Sequence, residues 1–223
     1  MNQQDSVTGN RLPTQWETPH AVPVRWMRQF RYFVRMFDRI VNVSGDIVEC
    51  GVGTGATFAM LAYLAGHSAR RLRGFDSFQG WPEPTEHDRT WRNPKAGEWR
   101  MPEFVARNLL QESNIPKEFP ALEIVIVPGF LGETLSKEPP YQISFLHLDV
   151  DLYSSYRDAL VHLFPRVSAG GVVLFDEYRE YARTKPDEEK WPGATKAIDE
   201  YIGPLGYHLH CDPEAQKYFL VKR

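Results

Sequence analysis

Four carboxylates stand at the ends of two short apolar runs. Asp149 and Asp151 close the run from Ile143, and Asp176 and Glu177 close the run from Gly171. Each run reads as a strand and a helix-length gap separates them, so the acids are expected to converge where two neighbouring strands stop. Carboxylates packed that closely repel one another and resist burial unless a cation, a shared proton or solvent compensates them. A divalent metal is the simplest resolution, and it predicts chemistry at the strand ends. Asp151 lies two residues beyond Asp149, which on a continuing extended strand puts both side chains on one side. His147 shares that parity; it reads first as a satisfied core histidine and second as an acid-base group or a residue behind the metal. His208 and His210 alternate on a late strand without a third ligand beside them and read as structural.

A second constellation lies earlier in the chain. Asp46-Ile-Val-Glu49-Cys-Gly51-Val-Gly53-Thr-Gly55-Ala56 is a strand running into a glycine-rich turn that opens a helix. Glycines permit positive φ and let backbone approach a bulky ligand. Read as Gly51-x-Gly53-x-x-Ala56, the turn satisfies a loose dinucleotide fingerprint, and Asp76 stands near where a ribose-binding acid belongs. A nicotinamide-dependent oxidoreductase is open on that basis. Glu49 before the first glycine and the third glycine at 55 favour S-adenosylmethionine, whose amino group and sulfonium suit an acidic neighbour better than a pyrophosphate does. A ligand-free tight turn, with Asp76 as a turn or cap residue, is the plain alternative.

These residues need a scaffold, and the pattern supplies one. Trp26, Phe30, Phe33, Phe37 and Val41 recur at helical spacing, with Arg25, Arg28, Arg31, Arg35 and Arg39 on the other positions. The arginine face reads as solvated, with attraction of an anionic substrate as the second reading. The aromatic stripe is expected to pack on the domain or on a second subunit. From Asp46, strands at Ile47–Val52, Leu72–Phe75, Leu122–Val127, Ile143–Val150 and Val172–Phe175 alternate with helices at Gly55–Ala65, Met101–Gln111, Leu131–Leu135, Ser154–Val167 and Ala194–Ile202. Repeated βα units predict a parallel sheet with helices on both faces. Tyr207–Cys211 and Lys217–Val221 form a terminal antiparallel hairpin, making seven strands. The polar stretches Gln79–Arg100 and Arg179–Pro192 should cover the strand ends, where open α/β sheets bind ligands. Trp81, Trp91 and Trp99 in the first stretch either stack on a ligand or anchor the loop.

The chain has 223 residues, 42% hydrophobic and 25% charged, which fits one domain. We divide it into an N-terminal segment and cap helix, 1–45, and a cofactor-binding catalytic region, 46–223. A net charge of -3 gives no basic field for nucleic acid. Two cysteines without metal or disulfide spacing suit a reducing, cytoplasmic setting. Membrane insertion and secretion are not indicated.

The combination of Val48-Glu-Cys-Gly-Val-Gly-Thr-Gly, Phe75-Asp-Ser-Phe-Gln-Gly-Trp-Pro, Leu148-Asp-Val-Asp-Leu-Tyr-Ser-Ser, Gly170-Gly-Val-Val-Leu-Phe-Asp-Glu-Tyr and Pro192-Gly-Ala-Thr-Lys-Ala-Ile-Asp-Glu-Tyr resembles the macrocin O-methyltransferase family. The resemblance runs from about Gly45 to about Tyr201. It implies a Rossmann-like class I methyltransferase fold and Mg²⁺-dependent O-methylation of a sugar or glycosylated small molecule by S-adenosyl-L-methionine. Asp149, Asp176 and Glu177 would then hold the metal, although the family shows two successive Asp where this chain has Asp176-Glu177. Asp151 would be the general base, working with Asp149. Glu49, Gly51, Gly53, Gly55 and Thr57 would hold the methionine end, and Asp76 with Ser77 the ribose. A catechol-type acceptor is a variant within the class, and a non-catalytic nucleotide-binding protein would leave the four acids without a role. A homo-oligomer is expected.

Overall fold

The computed structural model describes residues 22–182 and 185–223. The sequence units become nine strands and seven α-helices among these residues. In chain order they are α1 Val24–Arg39, β1 Asp46–Cys50, α2 Ala56–Ser68, β2 Leu72–Asp76, α3 Glu103–Glu112, α4 Ile115–Glu118, β3 Ile124–Pro128 and α5 Leu131–Thr134. Then follow β4 Ile143–Leu148, α6 Tyr153–Leu163, β5 Val167–Phe175, β6 Tyr181–Ala182, β7 Lys185–Glu189, α7 Pro192–Ile202, β8 His210–Asp212 and β9 Lys217–Val221.

Seven strands form one sheet in the order β3-β2-β1-β4-β5-β9-β8. β1 to β5 are parallel, whereas β9 runs antiparallel between β5 and β8. The chain reverses its winding between β1 and β4, and such a switch point opens a crevice beyond the strand carboxyl ends. Alternation along the buried strands builds two cores. Val48, Leu146, Leu148, Val173 and Phe175 pack with α6 and α7, whereas Ile47, Leu72, Phe145, Val172 and Leu174 pack with α1 and α2.

The aromatic stripe of α1 is used by its own domain: Phe33 and Phe37 lie 5.9 and 4.8 Å from the Phe145 ring. Val41, expected in that stripe, lies beyond the helix and is 66% exposed. The arginine face is not uniformly solvated. Arg35 forks onto Asp212 with contacts of 2.7–3.1 Å and reaches Glu214 at 2.9 Å, tying α1 to the β8–β9 turn. The stretch Arg179–Pro192 forms a small antiparallel pair, β6–β7, which its charge and proline had hidden. No helix among the described residues is long and apolar enough to cross a membrane.

Candidate active site

Strand parity sorts the expected ligands. On β4, Phe145 and His147 face the α1 side and Asp149 continues that series; on β5, Val172 and Leu174 do so and Asp176 continues it. One ligand atom each from His147, Asp149 and Asp176 lies within 4.8 Å of the others. Glu177, one residue on, takes the opposite parity. It is buried on the α6 side, where Oε2 meets the Tyr156 hydroxyl and lies 3.4 Å from the Asp151 N–H. The two acids adjacent in sequence therefore have different partners, although both line one cavity.

The route by which Asp151 joins the site differs from the sequence expectation. β4 stops at Leu148, so no strand carries Asp151 to the side of Asp149. Instead, Asp151 has φ +58 and the Leu152 N–H closes onto the Val150 carbonyl at 2.6 Å, a three-residue turn. A non-glycine residue in left-handed conformation costs energy and is found where the surroundings enforce it. Here the Trp81 indole N–H donates to Asp151 Oδ2 at 2.8 Å.

The cluster is electrostatically uneven. Burial and repulsion from Asp176 push the Asp149 pKa up to about 8, with His147 opposing. Burial pushes Asp151 up to about 6, opposed by the Trp81 hydrogen bond and Lys190. Burial also holds Glu177 well above the carboxylate range, reinforced by Asp149 and Asp151. The Tyr156 hydroxyl donates to Glu177 Oε2 and also lies 2.9 Å from the Leu148 carbonyl. Asp176 goes the other way, because Lys217 and His147 outweigh its burial and hold it well below that range. Lys217 Nζ donates at 2.7 Å to both Asp176 Oδ2 and the Asp176 carbonyl.

His147 is packed as a core histidine, with one ring nitrogen turned to the acids. It is buried, its Nδ1 is hydrogen-bonded to Glu49 Oε1 at 2.9 Å, and its Nε2 lies 3.9 Å from Asp176 Oδ1. Burial would lower its pKa, but Asp176 and Glu49 hold it up at about 10. Glu49 is itself fully buried beside His147 and is not among the residues lining the cavity. Burial raises its pKa, and His147 and the nearby Thr57 hydroxyl work against that rise. Glu49 Oε2 is buried without a hydrogen-bond partner.

The glycines of the turn have different reasons to be glycine. A Cβ at Gly51, at φ +92, would stand 1.7 Å from the Asp149 carbonyl oxygen, so this glycine lets β1 and β4 approach. At Gly55 the nearest obstacle is Ala106 of α3, at 3.0 Å. Only at Gly53 would a Cβ meet nothing within 4 Å. Asp76 secures the turn: Oδ2 accepts from the Gly53 N–H at 2.8 Å and Oδ1 from the Phe78 N–H at 2.7 Å. The Ser77 hydroxyl donates to the Gly80 carbonyl at 2.7 Å.

A cavity of about 670 Å³ joins the two constellations, lined by Gly53, Asp76 and Ser77 and by Asp149, Asp151, Asp176 and Glu177. Trp81 and Trp191, in edge contact at 5.3 Å, line it. Trp99 stands at its rim, 72% exposed, and Trp91 does not line it. Arg25 is the α1 arginine that reaches this cavity. His208 and His210 contact each other at 4.9 Å away from it.

Sequence reasoning missed Lys217, Tyr156 and Trp191. The signal for Lys217 was present: it opens β9, and an antiparallel β9 beside β5 must start where β5 ends. Tyr156 lies within the motif region after Asp151, but its hydroxyl matters only once α6 packs on β4 and brings it to Leu148 and Glu177.

Comparison with known proteins gives the family and the fold. A family model described as macrocin-O-methyltransferase matches residues 18–200. Demethyldecarbamoylnovobiocin O-methyltransferase of Streptomyces niveus is 32% identical over 170 residues, 72% of this chain and 59% of its own length. A Streptomyces olivaceus 4'-O-methyltransferase, named for a rhamnosyl tetracenomycin C, is 35% identical over 145 residues, 61% of this chain and 54% of its own length. The matches thus span little more than half the length of these relatives. Among solved structures, the calicheamicin methyltransferase CalS11 superposes with a TM-score of 0.75 at 25% identity, over 87% of this chain and 79% of that chain. The O-methyltransferase NovP superposes with a TM-score of 0.70 at 24% identity, over 88% and 80%, and shares the fold. With the class I methyltransferase sheet and a family match over most of its length, the chain belongs to the macrocin O-methyltransferase family.

Proposed function

We propose that the chain transfers a methyl group from S-adenosylmethionine to a hydroxyl of a sugar or glycosylated small molecule, with Mg²⁺ bound at the strand-end acids. The observation that carries this reading is the single cavity reaching from Gly53 and Asp76 to Asp149, Asp151 and Asp176. Methyl transfer needs donor and acceptor oxygen in line and shielded from competing water. Sugar chemistry is supported by the relative named for a rhamnosyl acceptor.

The residues fit both groups. At Gly53 the backbone meets open space, as close approach of a ligand requires, and Glu49, buried behind the turn beside His147 and Thr57, would act on the methionine end through them. Gly51 and Gly55 shape the turn, Thr57 lines the cavity beyond it, and Asp76 with Ser77 faces the ribose end. Asp149 and Asp176 offer hard oxygen donors suited to Mg²⁺. Glu177 would contribute through Oε1, since Oε2 serves Tyr156 and the Asp151 N–H.

When bound, the cofactor supplies an electrophilic methyl, and the divalent cation supplies Lewis acidity to the acceptor hydroxyl and helps orient it. The chain's own part is proton removal and positioning. Trp81 holds Asp151 Oδ2, which leaves Oδ1 to receive the hydroxyl proton as general base. Trp81 and Trp191 exclude water along the cavity wall. A nicotinamide-linked reaction would use the glycine turn and leave the acids idle.

Transfer of labelled methyl from S-adenosylmethionine into sugar nucleotides, glycosides and catechols tests the reading, first with Mg²⁺ and then with EDTA. Transfer into a glycoside or sugar that stops with chelator is the expected result. Transfer into catechols alone would replace the acceptor, and transfer indifferent to EDTA would remove the metal. Binding of NAD without binding of S-adenosylhomocysteine would overturn the cofactor. The reading also carries a cytoplasmic setting, consistent with two free cysteines. It includes a homo-oligomer, for which exposed Val24 and Met27 offer apolar surface and which light scattering would count.

A further inference from the structure

Lys217 is a cation that the acidic cluster already contains, on the side of Asp176 away from His147 Nε2. Its ammonium sits 2.7 Å from Asp176 Oδ2 and 2.7 Å from the Asp176 carbonyl, and both side chains are about four-fifths buried at the cavity wall. It gets there because β9 enters the sheet antiparallel beside β5, so the first residue of β9 lies at the carboxyl end of β5. The ion pair is thus held by strand pairing rather than by a mobile loop. Asp176 is also one of the two carboxylates best disposed to hold a divalent cation, facing Asp149 and His147.

We propose that Lys217 is a resident counter-ion of this site, which a divalent cation must displace from Asp176 on entering. The inference rests on the metal reading of Asp149 and Asp176 given above. Two positive charges sharing one carboxylate repel each other strongly where water is scarce. A lysine is suited to yield, since its charge rides on a flexible four-carbon stem with rotatable donors. Two consequences follow. Metal affinity is held down by the lysine, and the empty acid cluster stays intact because one of its charges is always paired.

Calorimetric titration of Mg²⁺ and Mn²⁺ into the unmodified chain, Lys217→Met and Lys217→Arg tests this without any turnover. Lys217→Met should bind each metal at least tenfold more tightly, and Lys217→Arg should stay within about threefold of the original, since it keeps the charge. Thermal melting should show Lys217→Met destabilised in EDTA and regaining more from Mg²⁺ than the unmodified chain does. Unchanged or weaker binding in Lys217→Met, with clear binding by the unmodified chain, would overturn the counter-ion role and leave the metal reading standing. No binding by any of the three would overturn both. A measurement on the unmodified chain covers failure of the variant to fold. Acetylation of Lys217, followed by peptide mass, should accelerate when Mn²⁺ saturates the site, and an unchanged rate would overturn the proposal.

Discussion

Gly51 and Gly53 stand two residues apart in one motif, yet the structure gives them opposite vulnerabilities. In Gly51→Ala the new methyl would start 1.7 Å from the Asp149 carbonyl oxygen, and the backbone φ is +92. Contacts that close do not occur, so the ends of β1 and β4 would have to part by more than about 1 Å in a close-packed region. Adding a left-handed penalty of about 1–2 kcal/mol, we expect a loss of about 4 kcal/mol or more, in the range reserved for disrupted cores. Gly53→Ala has φ +51 and nothing within 4 Å. Its strain of about 1–2 kcal/mol is offset by about 0.4–1 kcal/mol from a stiffer unfolded chain, so the net cost is about 1 kcal/mol. The methyl would instead protrude toward the cofactor end of the cavity. Urea unfolding measures the first quantity, and calorimetric titration with S-adenosylhomocysteine the second. We expect Gly53→Ala to fold and bind at least tenfold more weakly, about 1.4 kcal/mol, and Gly53→Val to show no binding. A Gly51→Ala protein within about 1 kcal/mol of the original would refute the packing argument. Unaltered binding by Gly53→Val would refute the placement of the cofactor.

Other substitutions separate the acids by role. Asp149→Ala should abolish metal-dependent turnover while S-adenosylhomocysteine affinity is retained; parallel loss of both in the same titrations would make Asp149 structural. Asp151→Asn should lower kcat by about 10²–10⁴, the usual contribution of a general base, with metal affinity changed far less. Steady-state kinetics beside metal titration would expose an error if turnover were unaffected. At the α1–hairpin junction, burial opposes ionisation of Asp212. The Ala215 N–H, Arg35 and the Glu214 N–H outweigh that and lower its pKa. A depressed carboxyl contributes stability that is complete above its unfolded pKa and is lost as pH falls through the folded value. Asp212→Asn should therefore cost about 1–3 kcal/mol at pH 7, the worth of hydrogen bonds to a charged group. The gap should close only below about pH 4. Chemical unfolding at pH 7 and pH 3 would contradict this if the gap were the same at both.

The sequence by itself determined what depends on local order. Short apolar runs alternating with helical segments specified the parallel sheet, and the runs ending at Asp149 and Asp176 placed acids at adjoining strand ends. The glycine-rich turn after β1 was legible for the same reason, since its residues are consecutive. Tertiary structure decided which of those residues share a space. Glu177 turns to Tyr156 because neighbouring residues at a strand end take opposite faces, and Glu49 turns to His147 because β1 and β4 align them side by side. Asp151 reaches the cavity by a left-handed turn that Trp81, 70 residues away in sequence, secures. Lys217 meets Asp176 only because the last strand enters the sheet antiparallel at β5. Residue types and spacing announce which groups can do chemistry. Partners brought together across the chain set the charge and direction of each group, and those partners are fixed by strand order and register.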